Sequence, residues 1–159
     1  MKKNKIIVFC AILAIISCNN DNSIPNPEVM CYDLRTEDGL SGDPMAKQYL
    51  NDRLFTGSCY TLHEQDITQI DEIRSYKKGK RHGVWVKYHN NGNIFYKSSA
   101  KDGEVHGLYT SYHDNGNMAD EGKMNKGYKD GVWEYYDISG TLYLKELYKN
   151  KILIDEENF

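Results

Sequence analysis

The sequence predicts an all-β fold, an extended antiparallel sheet built from successive β-hairpins. The first observation behind this prediction is a period of 24 residues, at which GVWVKYHNNG (83–92), GLYTSYHDNG (107–116) and GVWEYYDISG (131–140) recur. The second is that each copy alternates short runs of aromatic and β-branched residues with two glycine turn signals, as a hairpin array requires. One copy therefore corresponds to one hairpin.

Four kinds of position recur in every clear copy, and we interpret them as structural, because a repeat needs the same residues to pack each hairpin on the next. They are the leading glycines Gly83, Gly107 and Gly131, the aromatic residues Trp85, Tyr109 and Trp133, the tyrosines Tyr88, Tyr112 and Tyr136, and the turn glycines Gly92, Gly116 and Gly140. Period-two alternation places the row of Trp85 on one face of the sheet and the rows of Val84 and Tyr88 on the other.

Turn signals set the limits of the strands. Asn91-Gly92 predicts a tight primed turn, and the glycines at 79, 103 and 127 mark the second turn of each copy. Residues 55–63 and 68–76 predict the two strands of a worn first hairpin. Residues 151–159 predict an edge strand guarded by charged side chains.

The amino terminus has the pattern of a secretory signal. Three lysines precede the apolar run Ile6–Ile16, and Ser17 stands before Cys18. The last four residues of this stretch, 15–18, resemble the bacterial lipobox, which predicts removal of residues 1–17 and lipidation of Cys18. A plain signal peptide with an incidental cysteine is the alternative.

Between this signal and the hairpins, two further segments are predicted. Residues 18–29 carry two prolines and predict a flexible tether. Residues 30–54 predict an irregular lead-in, in which the stretch from Pro44 favours a short helix capped by Asp43. The hairpin repeats then occupy residues 55–159.

The cysteines that remain in the mature chain are an even pair, Cys31 and Cys59. In an oxidising compartment such a pair predicts a disulfide, with two unpaired thiols as the alternative.

The charge of the chain bears on its partners. The net charge is −3, and removal of the three lysines within residues 1–17 makes it −6. A chain of this charge has no basic stripe for phosphates, so nucleic acid is not expected as a partner. The predicted membrane contact is made through the lipid anchor alone.

Catalytic and metal-binding patterns are weak. His82, His89, His106 and His113 recur in two copies, but Asp130 and Asp137 replace them in the third, which favours surface or turn-capping roles over a metal site. GxSxG, P-loop and HExxH motifs do not occur, and the acids recur with the repeat or lie in turns. We therefore expect no enzyme activity, no metal and no cofactor. Stacking of the tyrosines on sugar rings is an alternative to their packing in the core.

The pattern Gly-x-Trp-x-x-Tyr-x-x-Asn-Gly with its preceding Gly-x-x-x-Gly resembles the MORN-repeat family, in the bacterial variant labelled antitoxin-like. The resemblance covers about residues 33–150 and implies an extended sheet of hairpins that serves as a scaffold or binding surface. The first copy lacks the aromatic residue and has Asp66 at a turn-glycine position, and the last has Ser139-Gly140 in place of Asn-Gly. Such departures are typical of terminal, capping repeats.

These observations together predict a membrane-anchored repeat protein of the bacterial cell envelope that acts as an interaction or scaffold module. The predicted partner is an envelope protein of unknown identity, and the predicted location is the outer membrane, facing the periplasm. The alternatives are an immunity lipoprotein that neutralises a toxin delivered into the envelope, and a carbohydrate- or lipid-binding sheet.

Overall fold

A computed structural model describes residues 25–27, 29–34, 36 and 47–159, and almost all of its regular structure is β. One 3₁₀ turn spans Cys31–Asp33. The strands are β1 (Val29–Met30), β2 (Tyr49–Leu50), β3 (Arg53–Leu54), β4 (Gly57–Leu62), β5 (Ile70–Lys77), β6 (Lys80–Tyr88), β7 (Ile94–Lys101), β8 (Glu104–Val105), β9 (Gly107–Tyr112), β10 (Met118–Asn125), β11 (Tyr128–Tyr136), β12 (Leu142–Lys149) and β13 (Ile152–Asn158).

One long sheet dominates the architecture. Its strand order is β1-β4-β5-β6-β7-β9-β10-β11-β12-β13, with β8 paired to β7, and it is antiparallel except for the pair of β1 and β4. Each repeat contributes one hairpin, β6–β7, β9–β10 or β11–β12, and the worn first copy forms β4–β5 as expected. The predicted all-β fold of successive hairpins is therefore confirmed, and β13 is its last strand.

Each repeat has two turns of different types. The tight primed turn predicted at Asn91-Gly92 is wrong. Gly92 N–H donates to the His89 carbonyl at 2.9 Å and His89 N–H to the Asn93 carbonyl at 2.8 Å, which makes a three-residue loop with only Gly92 at positive φ (86°). The tight two-residue turns lie at the other end instead, where Lys78 (φ 50°) and Gly79 (φ 76°) are both left-handed.

The short helix predicted from Pro44 is also wrong where the structure describes it. Residues 49–54 form the hairpin β2–β3, which turns at two residues of positive φ, Asn51 and Asp52. Gln48 N–H donates to the Gly79 carbonyl at 2.8 Å, and Gly79 N–H to the Phe55 carbonyl at 2.7 Å. The backbone N–H and carbonyl of Gly79, in the first tight turn, thus hold the lead-in in an extended conformation. These hydrogen bonds outweigh the helix propensity of the lead-in. Asp43 and Pro44 lie outside the described residues.

The lead-in packs on the first hairpin through a small apolar core. Its buried members are Leu34, Phe55, Cys59 and Tyr76. A disulfide joins Cys31 to Cys59, the two cysteines that the sequence pairs, with a Cα–Cα distance of 5.0 Å. The bond therefore fastens the chain before the repeats to strand β4.

The predicted signal peptide, Cys18 and most of the predicted tether lie outside the described residues. Within the residues that the structure does describe, no helix has both the length and the apolar character needed to cross a membrane.

Candidate interaction surface

The sheet has two unlike faces, which follow from the register of the strands. We call the side of Trp85, Tyr109 and Trp133 the aromatic face. The residue before each of the last two, Leu108 and Val132, points to the other side because side chains alternate along a strand. We call that side the aliphatic face.

The rings of the aromatic face contact one another across the repeats. Tyr96 lies between Trp85 and Tyr109, with ring centroids 5.9 Å from each, and Tyr109 lies 5.6 Å from Trp133. Trp133 is only 2% exposed. The row is therefore packing, as the repeat pattern predicts, and it stabilises the sheet along its length.

Tyr96 belongs to this row but was not identified from the sequence. It comes from the return strand β7, and residues 24 positions before and after it are Glu72 and Asp120, so its position shows no repeat of aromatic residues. Only the pairing of Tyr96 with Lys87 on β6 and with Ser111 on β9 brings it between the two aromatic positions.

Cations cover the two tryptophans. The guanidinium of Arg81 lies 3.3 Å from the centroid of Trp85, and Lys129 Nζ lies 4.6 Å from that of Trp133. These cations occupy the same position in the repeat, where the middle copy has Val105. Each tryptophan thus has a cation–π partner from its own strand, and this cation covers part of the ring on the aromatic face.

Carboxylates on the aromatic face are satisfied by neighbouring side chains. Glu72, 3% exposed, accepts from Arg74 Nε at 2.7 Å and from the Tyr96 hydroxyl at 3.2 Å. Asp120 accepts from the Ser111 hydroxyl. Burial raises the pKa of Tyr96, and the adjacent negative charge of Glu72 raises it further. These acids therefore act as hydrogen-bond acceptors within the fold.

A second polar network closes the last repeat. Lys129 donates to the Tyr135 hydroxyl, which donates to Glu146, and the Tyr148 hydroxyl donates to the same carboxylate at 3.0 Å. Burial raises the pKa of Glu146, but the hydrogen bonds from Tyr135 and Tyr148 and the charge of Lys129 outweigh burial and hold that pKa below its usual value. Burial also raises the pKa of Tyr135.

Two of the recurring histidines join successive repeats at the three-residue loops. The ring Nε2 of His89 lies 2.9 Å from the Tyr112 carbonyl, and that of His113 lies 2.9 Å from the Tyr136 carbonyl. Because a carbonyl only accepts, Nε2 carries the proton in both rings. The tyrosine positions thus contribute their main-chain carbonyls to the stacking of repeats. Among the described residues no group of three or more potential ligands is placed to hold a metal ion.

The aliphatic face, in contrast, presents apolar side chains to solvent. Leu108 and Val132, one repeat apart, are each 53% exposed, and Leu147 pairs directly with Val132. A polar row runs beside them across four strands, in which Lys145 lies 2.8 Å from Glu134. The members of this row are Thr110, Glu121, Glu134 and Lys145. An apolar centre with a polar border is typical of a surface that binds a protein.

A polar cleft of about 460 Å³ lies at the amino-terminal end of the sheet and was not predicted from the sequence. His63 Nδ1 lies 3.4 Å from Asp71, and Lys87 Nζ lies 3.6 Å from the same carboxylate. The other ring nitrogen of His63, Nε2, is buried and finds no partner among the described residues.

Comparison with known proteins identifies the type of repeat. Residues 81–102, 105–126 and 129–150 each match the family model described as MORN repeat variant. No curated protein and no solved structure matches significantly. The matches support the MORN-repeat family for the three clear copies, which make up less than half of the chain. Such repeats generally take part in protein or membrane interactions, which is consistent with a general interaction module.

Proposed function

We propose that this protein is a lipid-anchored interaction module of the bacterial cell envelope, and that its repeated sheet binds a protein partner through the aliphatic face. The observation that carries the proposal is the exposure of Leu108 and Val132 on the face opposite the packed rings. The aromatic face is packed within the fold, and on the aliphatic face Ile73 and Val86 are buried too, so the region around Leu108 and Val132 is the part that remains for a partner.

The distribution of polar groups supports binding over catalysis. An active site requires a single constellation in which neighbours perturb an acid, a base or a nucleophile. Here Asp120 and Glu146 accept hydrogen bonds from side chains of adjacent strands, and Glu72 accepts from Arg74 on its own strand and from Tyr96 two strands away. These bonds stabilise the sheet. We therefore propose that the protein has no enzymatic activity, cofactor or metal of its own.

Two alternative functions remain. One is a special case of protein binding, and the other is binding of a different class of ligand. An immunity lipoprotein, which neutralises a toxin delivered into the envelope, is a special case of protein binding. A carbohydrate-binding sheet requires open aromatic rings, but Trp133 is buried and Tyr96 and Tyr109 are stacked on each other. This packing favours a protein partner over a sugar.

A photo-crosslinking amino acid placed at Val132 tests the proposal in intact cells. We expect a discrete adduct with one envelope protein, identified by mass spectrometry, and no such adduct when the probe stands at Tyr109 on the packed face. A toxin as the captured protein supports the immunity alternative. Equal crosslinking from both positions, or turnover of an envelope substrate by the purified mature chain, contradicts the proposal.

A further inference from the structure

Among the described residues, strand β13 forms an open edge of the sheet. All of its residues are exposed, and its first three are large aliphatic side chains, of which Ile152 is 64% and Ile154 is 53% exposed. It pairs with β12 on one side, and no other strand of the described residues pairs with it. An exposed edge of this length is a template for an added strand.

The backbone of this edge offers hydrogen bonds outward. Phe159 N–H donates inward, to the Tyr143 carbonyl on β12 at 3.0 Å. Because backbone groups alternate in direction along a strand, the N–H groups of Glu156 and Asn158 point to the open side. Glu156 N–H is held by the side chain of Asp155 at 3.0 Å, a local bond that a carbonyl from an added strand replaces.

The open edge is strongly acidic. Asp155, Glu156 and Glu157 follow one another, and Glu156 lies directly opposite Glu146 of β12. Lys145, the cation opposite Glu157, is shared with another acid, since its Nζ lies 2.8 Å from Glu134. Like charges placed opposite each other destabilise a strand pair, so the edge has more negative charge than its own sheet balances.

This charge argues against a second copy of the chain as the occupant. In a two-fold antiparallel pair centred on Glu156, that residue faces its own copy and Asp155 faces Glu157. Every acid of one strand then stands opposite an acid of the other. A strand with lysine or arginine at these positions gains attraction at each of them instead.

The edge is also continuous with the aliphatic face. A shallow cleft of about 170 Å³ is bordered by Val132 and Leu147 on that face and by Asp155 and Glu157 on β13. A side chain from a strand added at β13 reaches this cleft without any change in the sheet. Lys145 also borders the cleft but is paired with Glu134 at 2.8 Å, so Asp155, Glu156 and Glu157 leave the rim acidic overall. The apolar floor and this rim suit the long aliphatic stem and charged end of a lysine or arginine.

We propose that β13 binds an extended basic segment of a protein partner by addition of a strand to the sheet. Cations of that segment lie opposite Asp155, Glu156 and Glu157, and its apolar residues lie opposite Ile152 and Ile154. The inference rests on the proposed interaction function and names the chemistry of the partner's segment.

The test uses the full mature chain and a synthetic peptide with three consecutive lysines followed by a valine-rich stretch, so that the lysines can stand opposite Asp155, Glu156 and Glu157; a peptide with glutamates in place of the lysines is the control probe. We expect the basic peptide to bind and to slow hydrogen exchange at the amides of Glu156 and Asn158. Glu156→Lys should weaken binding about tenfold, since it replaces an attraction by a repulsion. Glu64→Lys changes the net charge equally at an exposed site in the loop between β4 and β5, and should have no effect on the exchange.

A second variant separates charge from backbone pairing. Glu156→Pro removes an outward N–H and leaves the inward bonds to β12, so it should abolish the protection at Asn158 while the chain stays folded. Equal affinity in Glu156→Lys and Glu64→Lys, or protection confined to other strands, overturns the inference. So does protection of β13 that appears without peptide and rises with protein concentration, because it identifies a second copy as the occupant.

The outcomes also separate this inference from the proposed function. If the Val132 probe still captures its partner in the Glu156→Lys chain, the interaction function stands and the edge proposal fails. If the basic peptide protects β13 but no partner is captured in cells, the edge binds as inferred and the proposed function fails.

Discussion

The indole ring of Trp133 lies directly over the Cα of Gly122, its pairing residue on β10. A Cβ atom added to Gly122 would overlap three ring atoms of Trp133, namely Cγ, Cδ2 and Cε2. One repeat earlier the corresponding residues are Ser98 and Tyr109, so the glycine occurs where the ring of the next hairpin is the larger indole. The missing side chain at 122 is thus what allows Trp133 to be buried.

Gly122→Ala should destabilise the protein by about 1 to 3 kcal/mol, because the indole must shift from a closely packed position. Chemical denaturation followed by tryptophan fluorescence measures the change. In a Trp133→Leu background the same substitution should cost much less, since the overlapping ring is gone. Equal costs in both backgrounds would show that the ring is not the obstacle.

Trp85→Ala should lower the free energy of unfolding by about 3 kcal/mol, because it removes a ring that packs against Tyr96 and Arg81. The matched control is Lys87→Ala two residues along the same strand. Lys87 Nζ forms an ion pair with the carboxylate of Asp71 at 3.6 Å, and the Lys87 side chain is 37% exposed. Its loss should therefore cost less than about 1 kcal/mol. Small and equal losses of unfolding free energy at both positions would mean that the row of rings does not stabilise the sheet.

Loss of the disulfide should destabilise the lead-in. Cys31 and Cys59 are 28 residues apart, and closure of such a loop is worth roughly 3 to 4 kcal/mol in the chain-entropy model. We expect the double variant Cys31→Ser, Cys59→Ser to unfold at a lower denaturant concentration than the parent chain. Peptide mapping without reduction should recover the linked pair of cysteines from the parent chain. Recovery of both residues as free thiols from an oxidising compartment would contradict the bond.

The stability of the last repeat should fall in acid. The pKa of Glu146 is held below its usual value of 4.5 in the folded chain, so the unfolded chain binds the proton first as pH falls. Stability is therefore full above 4.5 and is lost as pH falls through the lower, folded value. Glu146→Gln should flatten this dependence in denaturation series at several pH values, whereas Glu104→Gln, an exposed acid of β8, should leave it unchanged.

Cys18 is the predicted site of the lipid anchor. Metabolic labelling with a fatty-acid analogue should label the parent chain and should fail to label Cys18→Ala, which should also leave the membrane fraction. Continued labelling and membrane attachment of that variant would contradict the lipoprotein prediction. Protease treatment of whole cells then distinguishes a periplasmic orientation from surface display.

The sequence by itself determined the repeat and the four hairpins of the long sheet, although not the short hairpin β2–β3. A 24-residue period with glycine at fixed positions places the strand ends, because left-handed turn residues and alternating strands are local requirements. The row of Trp85, Tyr109 and Trp133 was predictable for the same reason, since every copy needs a ring at that position.

Only the tertiary structure decided the features that depend on contacts between distant residues. Tyr96 joins the aromatic row through strand pairing, and the burial of Trp133 depends on a glycine eleven positions earlier. The lead-in is extended rather than helical because Gly79, far along the chain, supplies the backbone partner of Gln48. Local propensity cannot report a hydrogen bond that exists only once two remote segments meet, and this is the physical reason for the difference.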